Sequence, residues 1–377
     1  MRAVKRGRRN WAAVVGLLAV AGGALLAHGR SDQSPPAAGD RPQDLANAVV
    51  GAAEAVSRHQ QPDGYWLTPV TVGPIFEQPK PEVNVFVPAI IVDLLEPVAA
   101  ETGLRDVLER AREHLRRQIE PSGLVRYHGA PPRIDDAQRG CELPPDADDT
   151  ALVWRIAAPD APDLLLRARR GLEPYRNGDG LYLTWLADQD AYRCFYSTFF
   201  PKNPNPPDVA IQMHLYLFFA RYDPDAGRAL CDALRARIAE DRIWVWYTVA
   251  PLLPLLREID LAQAGCAVTV PARRFAGAAP GQDRYLAAAR LLRDLMLDPG
   301  AANRDAVLPV LRGLAAHDFA DVAAAPPLLY HNALSATPPH YHWSEDIGYA
   351  LWLRLYVESA RRWPGSLPLP ARPVKAS

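Results

Sequence analysis

A chain of 377 residues, 49 % hydrophobic and 23 % charged, can bury a large core and is too apolar to be intrinsically disordered. Its formal net charge of −1 excludes a general electrostatic pull toward nucleic acid. The 37 prolines sit mostly between apolar blocks and β-branched alternation is scarce, so an all-α fold of many short helices is expected.

The chain opens on a basic stretch (Arg2, Lys5, Arg6, Arg8, Arg9), followed by an uncharged apolar run from Trp11 to Ala27. A basic flank before an apolar run marks a signal anchor or signal peptide over residues 1–28. Leu25-Leu26-Ala27 makes a poor processing site, so a retained single-pass anchor is expected, with secretion after cleavage as the alternative. Either way the membrane is a partner of the segment and the domain is extracytoplasmic, which in a bacterium is periplasmic. Residues 29–43 read as a Pro-rich tether, 44–365 as the folded domain and 366–377 as a disordered tail. Cys141, Cys194, Cys231 and Cys266 lack the C-x-x-C spacing of a zinc ribbon. An extracytoplasmic setting permits one or two disulfides among them, with the pairing open.

The domain repeats itself. "RHQQPDGYWLTP" (58–69) ends a helix on a Pro-Asp-Gly turn and continues into aromatic residues. "RRQIEPSGLVRYHG" (116–129) and "LEPYRNGDGLYLTWL" (172–186) follow the same grammar at intervals of roughly sixty residues. "ARIAEDRIWVWYTVA" (236–250) is a fourth instance without the glycine. An Arg/Leu-rich amphipathic helix precedes each one; in Leu104–Ile119, Leu104, Val107, Leu108, Ala111, Leu115 and Ile119 share a face. A helix apolar on most sides follows each one. About eleven to twelve helices in two alternating sets predict outer and inner layers, an (α/α)6 toroid with a central cavity; a linear helical solenoid is the runner-up.

The inner helix beginning in "LPPDADDTALVWRI" (143–156) carries Asp146, Asp148 and Asp149 within its first turn. Asp is a favoured N-cap, but three carboxylates in four residues exceed what capping needs and raise one another's pKa. "QQPDGYW" (60–66) resembles the Gln-x-x-Asp-Gly-x-Trp repeat of terpenoid cyclases and prenyltransferase β-subunits. "DADDTA" (146–151) resembles the Asp-x-Asp-Asp-Thr-Ala motif of class II terpene cyclases such as squalene–hopene cyclases. The resemblance implies a proton-initiated cyclisation of an apolar isoprenoid, an isomerase reaction, with Asp148 as general acid and Asp146 and Asp149 shaping its environment. It implies no cofactor and no metal, Mg²⁺ entering only with a diphosphate substrate. Family members usually enclose the site between two helical domains, so the cavity here stays open on one side unless a second subunit or the membrane closes it.

Carbocations need aromatic faces. Trp154, Tyr216, Trp246, Tyr247 and Trp343 are candidates at inner helices, together with Trp66, Phe86, Trp185, Phe195 and Tyr349. His214, alone on an apolar helix, is the natural partner for Asp148; as a bland alternative it is a satisfied core residue. Asn84 and Asp208 hold the same helix-start position as Asp146, and either caps or rims the cavity. "PPHYHWSEDIGYAL" (338–351) brings Asp346 near His342 and Glu345 at helical spacing, with Ser344 as a cap. Arg133, Arg139, Arg155 and Arg193 are the candidates for a diphosphate. Two other functions stand as alternatives: a non-catalytic membrane-tethered toroid binding an apolar ligand, and an extracytoplasmic carbohydrate-active (α/α)6 enzyme.

Overall fold

The computed structural model describes residues 42–129, 140–157, 159–199, 205–332 and 338–369. The expected anchor, the tether up to residue 41, Arg133 and Arg139 lie outside the described residues. Among the described residues, no helix is long and apolar enough to cross a membrane.

Outer and inner helices alternate along the chain. Outer α1 (Pro42–His59) precedes inner α2 (Phe86–Leu95), and the short α3 (Ala99–Thr102) leads into outer α4 (Arg105–Arg116). Inner α5 (Ala147–Ala157), outer α6 (Pro162–Leu172), short α7 (Arg193–Phe199) and inner α8 (Val209–Tyr222) follow. Next come outer α9 (Pro224–Arg237), inner α10 (Leu252–Gln263), short α11 (Arg273–Ala276) and inner α12 (Asp283–Leu297). Outer α13 (Arg304–Ala324) and inner α14 (Glu345–Arg362) complete the order. Helix α2 packs on α5, α5 on α8, α8 on α10, α10 on α12, α12 on α14, and α14 back on α2. The inner helices thus close into a ring of six, with α11 as a stunted outer member. Burial divides the layers: every residue of α2 except Asp93 is buried, whereas α6 buries only Ala168 and Leu172. Only a helix enclosed on all sides tolerates an apolar surface all round.

The repeated turns fasten neighbouring outer helices. Gln60 Nε2 donates to the Val107 carbonyl of α4 at 2.8 Å, and the Trp66 indole donates to the Val56 carbonyl of α1 at 2.8 Å. Gly64 sits at φ +96°, and a Cβ there would lie 2.3 Å from the Arg110 carbonyl oxygen, so this turn accepts no other residue. The fourth repeat keeps the tryptophan contact, Trp244 donating to the Ile238 carbonyl at 2.8 Å. The four cysteines form two bridges, Cys141–Cys194 and Cys231–Cys266, with Cα separations of 4.7 and 5.8 Å. Loops of this length restrict the unfolded chain by about 4 kcal/mol each in the chain-entropy account.

The helical toroid carries one small addition. A four-stranded antiparallel sheet of order β2-β1-β4-β3 covers part of one rim: β1 (Thr68–Val72), β2 (Lys80–Glu82), β3 (Leu328–Asn332) and β4 (His340–Trp343). The central pair aligns Val70 with His342, so the segments preceding the first and last inner helices zip together. The strands are short, and Pro69 and Pro81 interrupt them, Pro81 on the edge strand where a missing donor is tolerated. Past α14 the described chain packs back on the domain: Leu367 is buried and Tyr356 donates to the Pro368 carbonyl at 2.6 Å.

Since each outer helix returns the chain, the inner helices run parallel and start at one rim. Some way below that rim a charge cluster joins three of them. Asp93 of α2 accepts two hydrogen bonds from Arg155 of α5, at 2.7 and 2.5 Å, and a third from Arg257 of α10. Arg257 also pairs with Asp260. Burial opposes ionisation of Asp93, but the two guanidiniums hold its carboxyl well below the usual range. Removing one member of such a buried group strands the others. Asp93→Ala should therefore cost about 3–5 kcal/mol in denaturant unfolding, and a loss below about 1 kcal/mol would show the cluster to be dispensable.

Candidate active site

Pro144 and Pro145 hold the chain extended ahead of α5, and neighbouring turns clamp it there. The Asp146 amide donates to the Val125 carbonyl at 3.1 Å, and the Ala147 amide to the Thr184 carbonyl at 2.9 Å. Asp146 Oδ1 accepts the Asp149 amide at 2.9 Å, so Asp146 does cap the helix. Capping uses one carboxylate. The other two are brought against it, with one oxygen from each of the three within a 4.8 Å span.

Asp146 and Asp149 are 3 % and 1 % exposed, whereas the Asp148 side chain keeps 14 % of its surface open. All three line a cavity of about 350 Å³ at the rim, within the range of pockets that take one small ligand. Each carboxyl is held well above the usual range, first by burial and then by the charge of a neighbour in the trio. Burial and mutual repulsion thus favour protons on the trio, and Asp148 is the most exposed of the three. The same trio is the set of described side chains that could hold a divalent cation.

His214, on α8, is fully buried behind Asp148, its Nδ1 3.9 Å from the Asp148 Oδ2, and among the described residues neither ring nitrogen has a hydrogen-bond partner. Burial, then the charges of Arg257 and Arg155, keep this imidazole neutral. Asp208 caps α8, accepting from the Ala210 amide at 2.9 Å, and also accepts from the Val245 and Trp246 amides at 2.8 and 3.0 Å. That fixes the segment that delivers Trp246 and Tyr247 to the cavity wall. Phe86, Trp185, Phe195 and Tyr330 complete the aromatic lining.

The remaining expected site residues lie elsewhere. Trp154 is buried with its indole donating to the Gly123 carbonyl at 2.7 Å, so it packs the second repeat turn. Tyr216 donates to the Ala264 carbonyl beyond the end of α10, and Trp343 donates to Thr71 across the sheet at 2.8 Å. Asn84 accepts the Val87 amide at 3.0 Å and donates to Thr68 at 2.8 Å, acting as a cap whose amide also reaches Tyr127. Asp346 pairs with His59 at 2.9 Å, and Ser344 caps α14. His342 belongs to β4 rather than to the helix, so it shares no helical face with Glu345 and Asp346. Arg155 is committed to Asp93, and exposed Arg193 pairs with Asp190 at 2.9 Å.

A polar wall on the sheet side joins His342 to three residues that carry no sequence motif. Glu82 of β2, Tyr127, Tyr330 of β3 and His342 of β4 all line the cavity. Tyr127 donates to Glu82 at 2.5 Å, Tyr330 donates to Tyr127, and His342 Nδ1 lies 3.6 Å from Glu82. Burial disfavours the Glu82 charge, but His342 and the Tyr127 hydroxyl outweigh it and hold this carboxyl below its usual range. No motif links these residues; the repeat position of Tyr127 in "LVRYHG" was the one available signal.

No protein-family model and no curated protein matches the sequence. Solved structures of the type II terpene cyclase MstE from Scytonema are similar in fold. A ligand-free variant superposes with a TM-score of 0.55 at 14 % identity, covering 85 % of this chain and 98 % of that one. A variant in complex with the substrate geranylgeranyl dihydroxybenzoate gives 0.55 at 14 %, covering 85 % and 99 %. One in complex with the product merosterolic acid A gives 0.53 at 14 %, covering 85 % and 98 %. The match takes in nearly all of that solved chain.

Asp208 supplies a pH test. Its pKa is pushed up to about 6 by burial, against an ordinary 3.8, so the folded state binds its proton more tightly than the unfolded state. Stability is then lost as pH rises from about 4 to 6, by up to about 3 kcal/mol. Thermal melts should show Tm increasing as pH is lowered from 7 to 5, with a smaller increase in Asp208→Asn. An identical slope in the variant would mean that Asp208 is already ionised in the fold.

Proposed function

We propose that the protein is a class II terpene cyclase-like enzyme in which Asp148 starts an isoprenoid cyclisation by protonating an alkene. The observation that carries this reading is the desolvated acid trio whose middle member opens onto an aromatic cavity. The Asp148 O–H proton adds to one alkene carbon, leaving a tertiary cation on the other; a second alkene donates its π pair to close a ring. A C–H proton lost at the end restores neutrality, so the reaction needs no redox partner and no nucleotide. Each aromatic face opposite the cation contributes roughly 0.5–2 kcal/mol. Asp146 and Asp149 keep the trio protonated, and the α5 N-terminus eases the charge left on Asp148. Neutral His214 acts as a positioning residue, accepting a hydrogen bond that orients the acid once the 3.9 Å gap closes.

Mg²⁺ enters this reading only with a diphosphate substrate. The two disulfides favour an oxidising, extracytoplasmic setting, in keeping with a membrane anchor at residues 1–28. An apolar substrate drawn from a bilayer suits that placement.

The test incubates detergent-solubilised protein with squalene, oxidosqualene and geranylgeranyl dihydroxybenzoate, and identifies products by mass spectrometry. Wild type should yield a cyclised product from at least one of them in the presence of EDTA, and Asp148→Asn should lower the rate by at least ~10³-fold. Equal product from both proteins would sink the role given to Asp148. Binding without any product would favour a non-catalytic toroid.

A further inference from the structure

The polar wall on the sheet constrains what the cavity accepts. Glu82 is held ionised and offers no donor. The Tyr127 hydroxyl spends its proton on Glu82 at 2.5 Å, and the Tyr330 hydroxyl spends its own on Tyr127. Asn84 also donates to Tyr127 at 2.8 Å, and Tyr330 is stacked on His342 with ring centroids 4.3 Å apart. The hydrogen bonds therefore run in one direction, toward Glu82. What this chain leaves toward the cavity is acceptor capacity: lone pairs on the Tyr330 oxygen and on the Glu82 carboxylate, whose side chain is 26 % exposed.

Charge points the same way. Among the described residues lining the cavity there is no Lys or Arg, while four carboxyl groups line it: Glu82 and the α5 trio. Nearby Arg126 is occupied by Glu120 at 2.5 Å, the Leu143 carbonyl at 2.7 Å and Tyr192 at 3.0 Å. An anionic head entering here would face the Glu82 carboxylate, with His342 already drawn to it at 3.6 Å and no Lys or Arg among the described lining residues, and like charges in a partly buried site repel.

We infer that Glu82, with Tyr330 beside it, seats the hydroxyl or phenol head of an uncharged prenyl compound, and that the cavity turns away prenyl chains ending in a diphosphate or carboxylate. The inference rests on the cyclase reading and adds the substrate class to it. A head that donates to Glu82 completes the hydrogen-bonded chain and leaves the distal isoprene unit in the same cavity as Asp148. Polarity of the head thereby sets which end of the chain is protonated. Discrimination follows the usual asymmetry of buried polar sites, which reject a ligand that leaves their groups unpaired far more strongly than one that merely fits poorly.

Trp185 and Trp246 line the cavity, so binding to the full-length solubilised protein can be followed by tryptophan fluorescence. The probes are geranylgeraniol, its methyl ether, geranylgeranyl hydroquinone, geranylgeranyl hydroxybenzoate, and geranylgeranyl diphosphate with and without Mg²⁺. Geranylgeraniol and the hydroquinone should bind at least ~100-fold more tightly than the diphosphate or benzoate, and at least ~10-fold more tightly than the methyl ether. Glu82→Gln, which keeps the shape and removes the charge, should narrow the gap to the anionic probes by at least ~10-fold. Equal or tighter binding of the diphosphate, an indifferent methyl ether, or no binding of any probe would overturn the inference. Failure here is separable from failure of the cyclase reading. A diphosphate that binds and is cyclised in an Asp148-dependent reaction defeats only the head assignment. A prenol that binds as expected and never cyclises defeats only the catalytic role.

Discussion

Asp93 joins three of the six inner helices from inside the ring, and most of the architecture depends on it. Its carboxylate is shared by Arg155 and Arg257, so α2, α5 and α10 are tied at one depth although α2 and α10 sit across the ring from one another. Asp93, Arg155 and Arg257 follow the first residues of their helices by seven, eight and five positions, which places the cluster roughly 8–12 Å below the rim. A ring of apolar helices has no intrinsic reason to stop closing until its cavity vanishes. A fully hydrogen-bonded charge group keeps the helices at a set distance, because its members cannot separate or collapse without stranding a charge.

The same cluster shapes the chemistry above it. Arg155 and Arg257 are spent on Asp93, so they do not neutralise the α5 carboxyls, and burial, helped by their field, keeps His214 uncharged between the two layers. The acids at the rim are thus left to one another and largely withdrawn from water, which favours their protonated form. Electrostatics is divided by depth: full charges paired below, a neutral imidazole between, protonated acids above. That order places an acid that holds its proton beside aromatic faces, an arrangement suited to making and holding a carbocation.

The small sheet contributes the opposite kind of group. By pairing the segments ahead of α2 and α14 it closes one side of the rim and brings Glu82, Tyr330 and His342 to the same cavity as the trio. Glu82 is ionised where the trio is not, and the difference comes from partners: hydroxyl and imidazole groups surround Glu82, whereas carboxyls surround Asp148. Two carboxyl environments pushed apart within one pocket give it a direction, an acid end and an acceptor end.

The sequence by itself determined the alternation of outer and inner helices, because amphipathic and all-apolar segments differ in composition at helical spacing. It also determined the turns at Gly64 and Trp66 and the acid start of α5, since these are local patterns with local causes. Trp246 and Tyr247 were legible as cavity residues through their position before an inner helix. Trp154, Tyr216 and Trp343 were not separable from them: a helix or strand buried on every side carries no polar face to say which side looks inward. Tertiary structure alone decided the cysteine pairing, the neutral state of His214 and the cavity wall of Glu82, Tyr127, Tyr330 and His342. These arise where segments some 35 to 260 positions apart along the chain meet, and the energies that set them, desolvation and charge pairing, depend on distances that no local pattern encodes.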